Sequence, residues 1–189
     1  MTVAYRPEID GLRAMAVVSV ILFHAKIPGF ENGFLGVDIF FVISGFLITN
    51  LLVREFDLIG KISLSDFYAR RVRRLLPASF VAVVGTLVMS RIWLEPLRLG
   101  DLTQDARAAA LFVTNLLFAS RESDYLQSAL PPSPLQHYWS LGVEEQFYIF
   151  FPLIVMLLLK IQRNKVVLKL GLALITAISL VLCVALTSK

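Results

Sequence analysis

Apolar blocks close to membrane-crossing length, each flanked by basic residues, recur along this chain and leave it few folds to adopt. They occupy 12–27, 37–53, 77–93, 141–159 and 166–186. A transmembrane helix needs about 20 predominantly apolar residues, and here the apolar residues run in blocks rather than at amphipathic spacing. With 57% hydrophobic and 17% charged residues and a mean hydropathy of +0.75, the expected fold is all-α: a polytopic transmembrane helix bundle of about five spans in a lipid bilayer. The formal net charge of +4 does not point to nucleic acid, because the basic residues flank apolar blocks, where the positive-inside tendency accounts for them. The one cysteine, Cys183, rules out an internal disulfide.

The first block sits in DGLRAMAVVSVILFH, residues 10–24, where Arg13 and His24 bracket ten residues that are apolar or small. At about 100° per residue, eleven steps bring both side chains to one helix face, about 16 Å apart along the axis. Charged or titratable residues are costly in hydrocarbon and face a bundle interior or watery cavity, so this stripe reads as a functional site. Asp10 stands where an N-cap would stand and three residues before Arg13, near enough to neutralise it in part. Pro28 and Gly29 are expected to end the helix. The block is followed by Lys26 and Pro28 without a small-x-small cleavage pattern, so it reads as a retained span rather than a signal peptide.

A loop over 30–36 leads to the second span, which carries Ser44 and Gly45 at its centre. Small residues there either let helices approach closely or leave room for a substrate chain. The stretch 54–74 is polar and basic, and DFYARRVRRLL, residues 66–76, reads as a helix on the membrane surface. Arg70, Arg71, Arg73 and Arg74 have two readings: cytoplasmic charges attracted to anionic lipid, or a phosphate-binding group for a phosphorylated cofactor. The third span is 77–93. The stretch 104–119 is short and interrupted by Arg107, Thr114 and Asn115. If it crossed, Lys160, Arg163, Lys165 and Lys169 would face the side opposite the arginines, so it is read as interfacial or re-entrant. Residues 95–138 are then outside, with Pro131, Pro132 and Pro134 as a turn region.

The outer end of the fourth span reads HYWSLGVEEQFYIFFPL, residues 137–153. Glu144 and Glu145 point about 100° apart and cannot face one cavity equally. One is structural or interfacial; the other faces the bundle, where a carboxylate orients a histidine or binds sugar hydroxyls. In this topology His24, Asp38, His137 and one of the two glutamates gather toward the outer half of the membrane.

The combination of DGLRAMAVVSVILFH, GVDIFFVISGFLI, RRVRRLLP and HYWSLGVEEQFYIFFPL, in this order, resembles the acyltransferase 3 family of membrane O-acyltransferases that modify bacterial surface polysaccharides and related glycans. The resemblance implies an enzyme of the bacterial inner (cytoplasmic) membrane, its N-terminus cytoplasmic, that moves an acyl group, by expectation acetyl, from acyl-CoA to a hydroxyl of a cell-surface or lipid-linked glycan. Such domains have about ten spans, so residues 1–189 are expected to be the N-terminal half of one and inactive alone. By resemblance, Arg13 and His24 match the family's paired arginine and catalytic histidine. Arg70 with Arg73, or Arg71 with Arg74, matches its Arg-x-x-Arg motif on the acyl-CoA side. Glu144 matches the final position of WSL-x-x-E, in which this chain has Gly142 where a serine or similar residue is typical. Asp38, Ser44, His137 and Glu145 are assigned acceptor-facing or orienting roles. An extended pantetheine arm is of the same order as the Arg13 to His24 separation, so a headgroup held by the arginines would present its thioester near His24. His24 acts either as general base or as transient acyl acceptor.

Two other readings stay open: a non-catalytic transporter or proton-relay bundle, and a truncated acyltransferase that only packs. Metal-ligand spacing, a Gly-rich nucleotide loop and a nucleophile elbow are all missing from the sequence, so no metal, NAD or ATP site is expected. The topology predicts that, with Cys183 replaced, a cysteine introduced at position 122 reacts with an impermeant thiol reagent added outside. Labelling only from the cytoplasm would mean that 104–119 crosses.

Overall fold

Proline and glycine placement decides where the first helix begins and what it packs against. The structure, a computed structural model, describes residues 6–93, 99–122, 132–161 and 165–187. Helix α1 runs Pro7–His24, with Arg6 at the N-cap and Pro7 at the first helical position. Proline presets the helical φ and lacks an N–H that would go unpaired there. The helix thus starts before the expected 12–27, and Asp10 lies in its first turn rather than capping it. It also ends sooner, at His24, before Pro28: Lys26 takes a positive φ of 54°, which breaks the helical path. Within the expected loop a 3₁₀ turn forms over Gly33–Leu35 and lies against α1. A Cβ on Gly33 would stand 2.2 Å from the Ser19 carbonyl oxygen, and one on Gly36 would stand 2.4 Å from that of Ala16. Both contacts are with backbone, so only glycine allows this approach.

Helix α2 runs Gly36–Ile59 and α3 Leu64–Trp93. The expected basic stretch 54–74 is therefore helical on both sides of a short connection. The surface helix over 66–76 and the span over 77–93 are one helix. Pro77 sits inside it rather than opening a new element; it removes one backbone hydrogen bond, and the helix continues past it. The stretch 104–119 is two helices, α4 (Leu99–Ala110) and α5 (Thr114–Glu122), broken where Phe112 takes a φ of 55°. Helices α6 (Tyr138–Ile161) and α7 (Lys165–Thr187) follow the fourth and fifth expected spans closely. Pro131 of the expected turn region lies outside the described residues, as do Glu95 and Arg163; Pro134–His137 is a turn.

Among the described residues all elements are helical, and four segments are long and apolar enough to cross a membrane: Gly33–Ile59, Leu64–Trp93, Tyr138–Lys160 and Val166–Thr187. Helix α1, with Glu8, Asp10 and Arg13, is not among them, so the expected count of five stands at four by this measure. The chain divides into two compact units. In one, comprising residues up to Gly45 and Ser63–Ile149, α3 and α6 run antiparallel. The Tyr68 hydroxyl donates to the Ile149 carbonyl at 2.8 Å, and the Tyr138 hydroxyl to that of Ser79 at 3.1 Å. The segment joining them therefore leaves and returns on one side. Helices α4 and α5, at about 18 and 14 Å, are too short to cross alone. Leu102, Ala106 and Ala109 of α4 pack with Val83 on the later part of α3 and with Leu135 in the turn before α6. Arg121 of α5 reaches back to Asp105 of α4, 2.6 Å away and 3% exposed, as an ion pair not aligned as a hydrogen bond. The second unit, Phe46–Ile62 with Phe150–Lys189, packs Gly171 of α7 on Leu158 of α6. Leu168 of α7 is buried, but most apolar side chains of the helix, from Leu174 to Leu186, are exposed, as a lipid-facing helix requires.

The close approach at the start of α2 predicts that Gly36→Ala destabilises the chain by about 1–3 kcal/mol, read from its unfolding midpoint in an SDS titration. An unchanged midpoint would contradict that contact.

Candidate active site

His24 is the last residue of α1, and the helix itself orients its ring. Nδ1 lies 2.8 Å from the carbonyl oxygen of Val20, one turn back. A carbonyl only accepts, so Nδ1 carries the proton in the neutral ring and Nε2 keeps its lone pair. Phe23 packs edge-on against the imidazole at 5.1 Å between centroids. On the other side stands His137, from the turn before α6, at 4.6 Å with the ring planes 85° apart. Burial first, and the His24 charge second, hold the His137 pKa below the ordinary histidine value. Arg13 lies further down α1, 3.9 Å from Asp10.

A second polar group forms between α3 and α6. The guanidinium of Arg71 grips Glu145, with Nη2 2.8 Å and Nε 3.1 Å from Oε1 and Nε 3.3 Å from Oε2. Its Nη2 is also 3.8 Å from Oε1 of Glu144, and its carbon lies 3.2 Å from the centroid of the Tyr148 ring. Ser44 of α2 donates its hydroxyl to Glu144 Oε1 at 2.5 Å, and the Tyr148 hydroxyl donates to the same oxygen. The adjacent carboxylates thus divide their work. Glu145 holds the arginine, while Glu144 is fixed through one oxygen by two hydroxyls. Glu144 stands seven positions after His137, about 10 Å of helical rise.

Just past this group, Asn115 of α5 and Gln146 of α6 exchange hydrogen bonds at 2.9 and 3.1 Å, and Gln146 also donates to the Phe112 carbonyl at 3.1 Å. The break between α4 and α5 is thereby tied to α6. A Cβ at Gly142 would stand 2.9 Å from Asn115 Oδ1 and 3.1 Å from the Phe112 oxygen. The glycine in this chain's WSLGVE thus has a local reason: a serine there would crowd the amide pair.

The candidate residues from the sequence therefore fall into two groups rather than one outer gathering. His24 meets His137, while Glu144 and Glu145 meet Ser44 and Arg71. Asp38, exposed in the first turn of α2, makes no hydrogen bond or ion pair among the described residues. Arg71 is 20% exposed and turned toward α6. Arg70, Arg73 and Arg74 are exposed and, at i, i+3 and i+4, share one face of α3. Tyr148, Asn115 and Gln146 are not among the site residues that the sequence suggests. For Tyr148 a signal existed: it lies four residues after Glu144, the spacing at which helical side chains meet.

The acyltransferase domain family matches residues 6–188 of the chain. The peptidoglycan O-acetyltransferase OatA of Listeria monocytogenes serovar 1/2a is 42% identical over 177 residues, which is 92% of this chain and 28% of that protein. The O-acetyltransferase OatA of Staphylococcus aureus strain NCTC 8325 is 44% identical over 156 residues, 82% of this chain and 25% of that protein. The chain thus spans about a quarter of the length of these curated relatives. No solved structure matches it. With the family match running over nearly its whole length, the chain belongs to the acyltransferase 3 family.

Proposed function

We propose that this chain carries the donor-binding and proton-transfer residues of a membrane O-acetyltransferase, which moves an acetyl group from cytoplasmic acyl-CoA to a hydroxyl of a cell-surface or lipid-linked glycan. Family membership supports the reaction class, and the names of the Listeria and Staphylococcus relatives support acetyl as the group and a glycan as the acceptor. The observation that carries the chemistry is the hydrogen bond from His24 Nδ1 to the Val20 carbonyl, which leaves Nε2 as a base. In the reaction, Nε2 takes the proton of the acceptor hydroxyl as its oxygen bonds to the acyl carbon. The carbon–sulfur bond breaks, and the departing sulfur takes the proton from His24. Atoms and charge balance without a further reactant.

The arginines divide between two tasks. Arg70, Arg73 and Arg74, exposed on one face of α3, hold the phosphates of the donor by charge-assisted hydrogen bonds. Arg71, gripped by Glu145, positions α3 on α6. Arg13 supplies positive charge on the His24 face of α1. Glu144 uses its second oxygen to accept from a sugar hydroxyl, its first being held by Ser44 and Tyr148. The membrane is the bacterial cytoplasmic membrane; α1 crosses it as a further span, which places both the N-terminus and the arginine face inside.

One pair of measurements tests this. In lipid nanodiscs, Arg70→Ala combined with Arg73→Ala should weaken acyl-CoA binding about tenfold or more, and His24→Gln should leave it unchanged. In the Listeria relative with its 177 matched residues replaced by those of this chain, His24→Gln should abolish acetyl transfer. Near-normal transfer by that variant would sink the base assignment.

A further inference from the structure

The chain has two histidines, far apart in sequence, and the fold sets their rings in contact. Local backbone fixes the His24 ring and the position of His137. His24 is tied to the Val20 carbonyl, and His137 ends a turn closed by the Gln136 amide on the Ser133 carbonyl at 2.9 Å and the Tyr138 amide on that of Leu135 at 3.0 Å. Leu135, 1% exposed, anchors that turn. At 4.6 Å, edge to face, two imidazolium cations repel, whereas one imidazolium against a neutral ring is an attractive cation–π arrangement. Such a pair takes its first proton readily and its second with difficulty.

We propose that His137 is a positioning partner of His24: its neutral ring steadies the imidazolium that His24 becomes on taking the acceptor proton, and the two rings titrate as one unit carrying one proton. This rests on the reading of His24 as the base. The direction in which His137 is held, below the ordinary histidine range by burial and by His24, agrees with it, since the ring that stays neutral is then His137. The other charged groups on the flanking elements of this unit are Glu8, Asp10 and Arg13 in α1, Lys26 after it, Glu31 before the 3₁₀ turn, Asp38 in α2, and Glu144 and Glu145 in α6. Among the described residues none of them makes a hydrogen bond or ion pair with either imidazole.

Histidine-selective ¹⁵N labelling of the chain in nanodiscs gives only two imidazoles to follow by NMR between about pH 4 and 8. In the unsubstituted chain His24 should report the Nδ1–H tautomer when neutral, and the two rings should not take their protons in one step. In His24→Gln the His137 midpoint should rise by about one pH unit. Two rings protonating together in the unsubstituted chain would overturn the proposal, as would a His137 midpoint indifferent to His24→Gln. Because the unsubstituted titration is itself decisive, misfolding of the variant does not shield the idea. Failure here also differs from failure of the functional reading. Coupled titration with transfer surviving His24→Gln would sink the base alone, and uncoupled titration with transfer lost in His24→Gln would sink the role of His137 alone.

Discussion

The unit that holds the candidate site depends on Arg71 meeting Glu145 between α3 and α6. A charge inside a membrane-spanning helix is costly unless it is paired, and removing one partner leaves the other exposed to that cost. The bidentate grip fixes both the separation of the two helices and their register, and the Tyr68 and Tyr138 hydroxyls repeat that register on either side. Once α6 is set against α3, Glu144 is delivered to Ser44, and the turn before α6 carries His137 to His24. The register also leaves the later part of α3 beyond the start of α6, where α4 packs with Val83 and Leu135.

Much of this was legible in the sequence wherever one physical effect dominated. The apolar blocks located α2, α3, α6 and α7 because burial in lipid outweighs other preferences. Helix α1 was placed by the same rule but contains three charges in its first half, and the glycines at 33 and 36 decide what it packs on. Pro77 misled because proline is expected at helix starts; inside α3 the loss of one hydrogen bond is small against the continuity of a long apolar helix. The break at Phe112 left no signal, since a positive φ at an aromatic residue is held by its surroundings. Here those are the Gln146 amide on its carbonyl and Gly142 beneath it.

Among the site residues, His24 and Arg13 could be found because a polar stripe on an apolar helix has few bland explanations. The arginine cluster was visible as a group but not as a division of labour. Which of four neighbouring arginines turns inward depends on the azimuth of α3 against α6, a tertiary fact. The same fact decides between Glu144 and Glu145, which a helical wheel could only say must differ. The family reading and the geometry meet at this point, with the histidine pair on one side and the exposed arginines on the other.

The central claim is that the Arg71–Glu145 pair sets the arrangement of α3 and α6. A double-mutant cycle with Arg71→Met and Glu145→Gln, read from unfolding free energies in SDS titrations of the bicelle-embedded chain, tests it directly. Each single substitution should destabilise the chain, and the double variant should lose less than the two losses added, by about 2 kcal/mol. Losses that add to within about 0.5 kcal/mol would mean that the pair is incidental and that other contacts set the register.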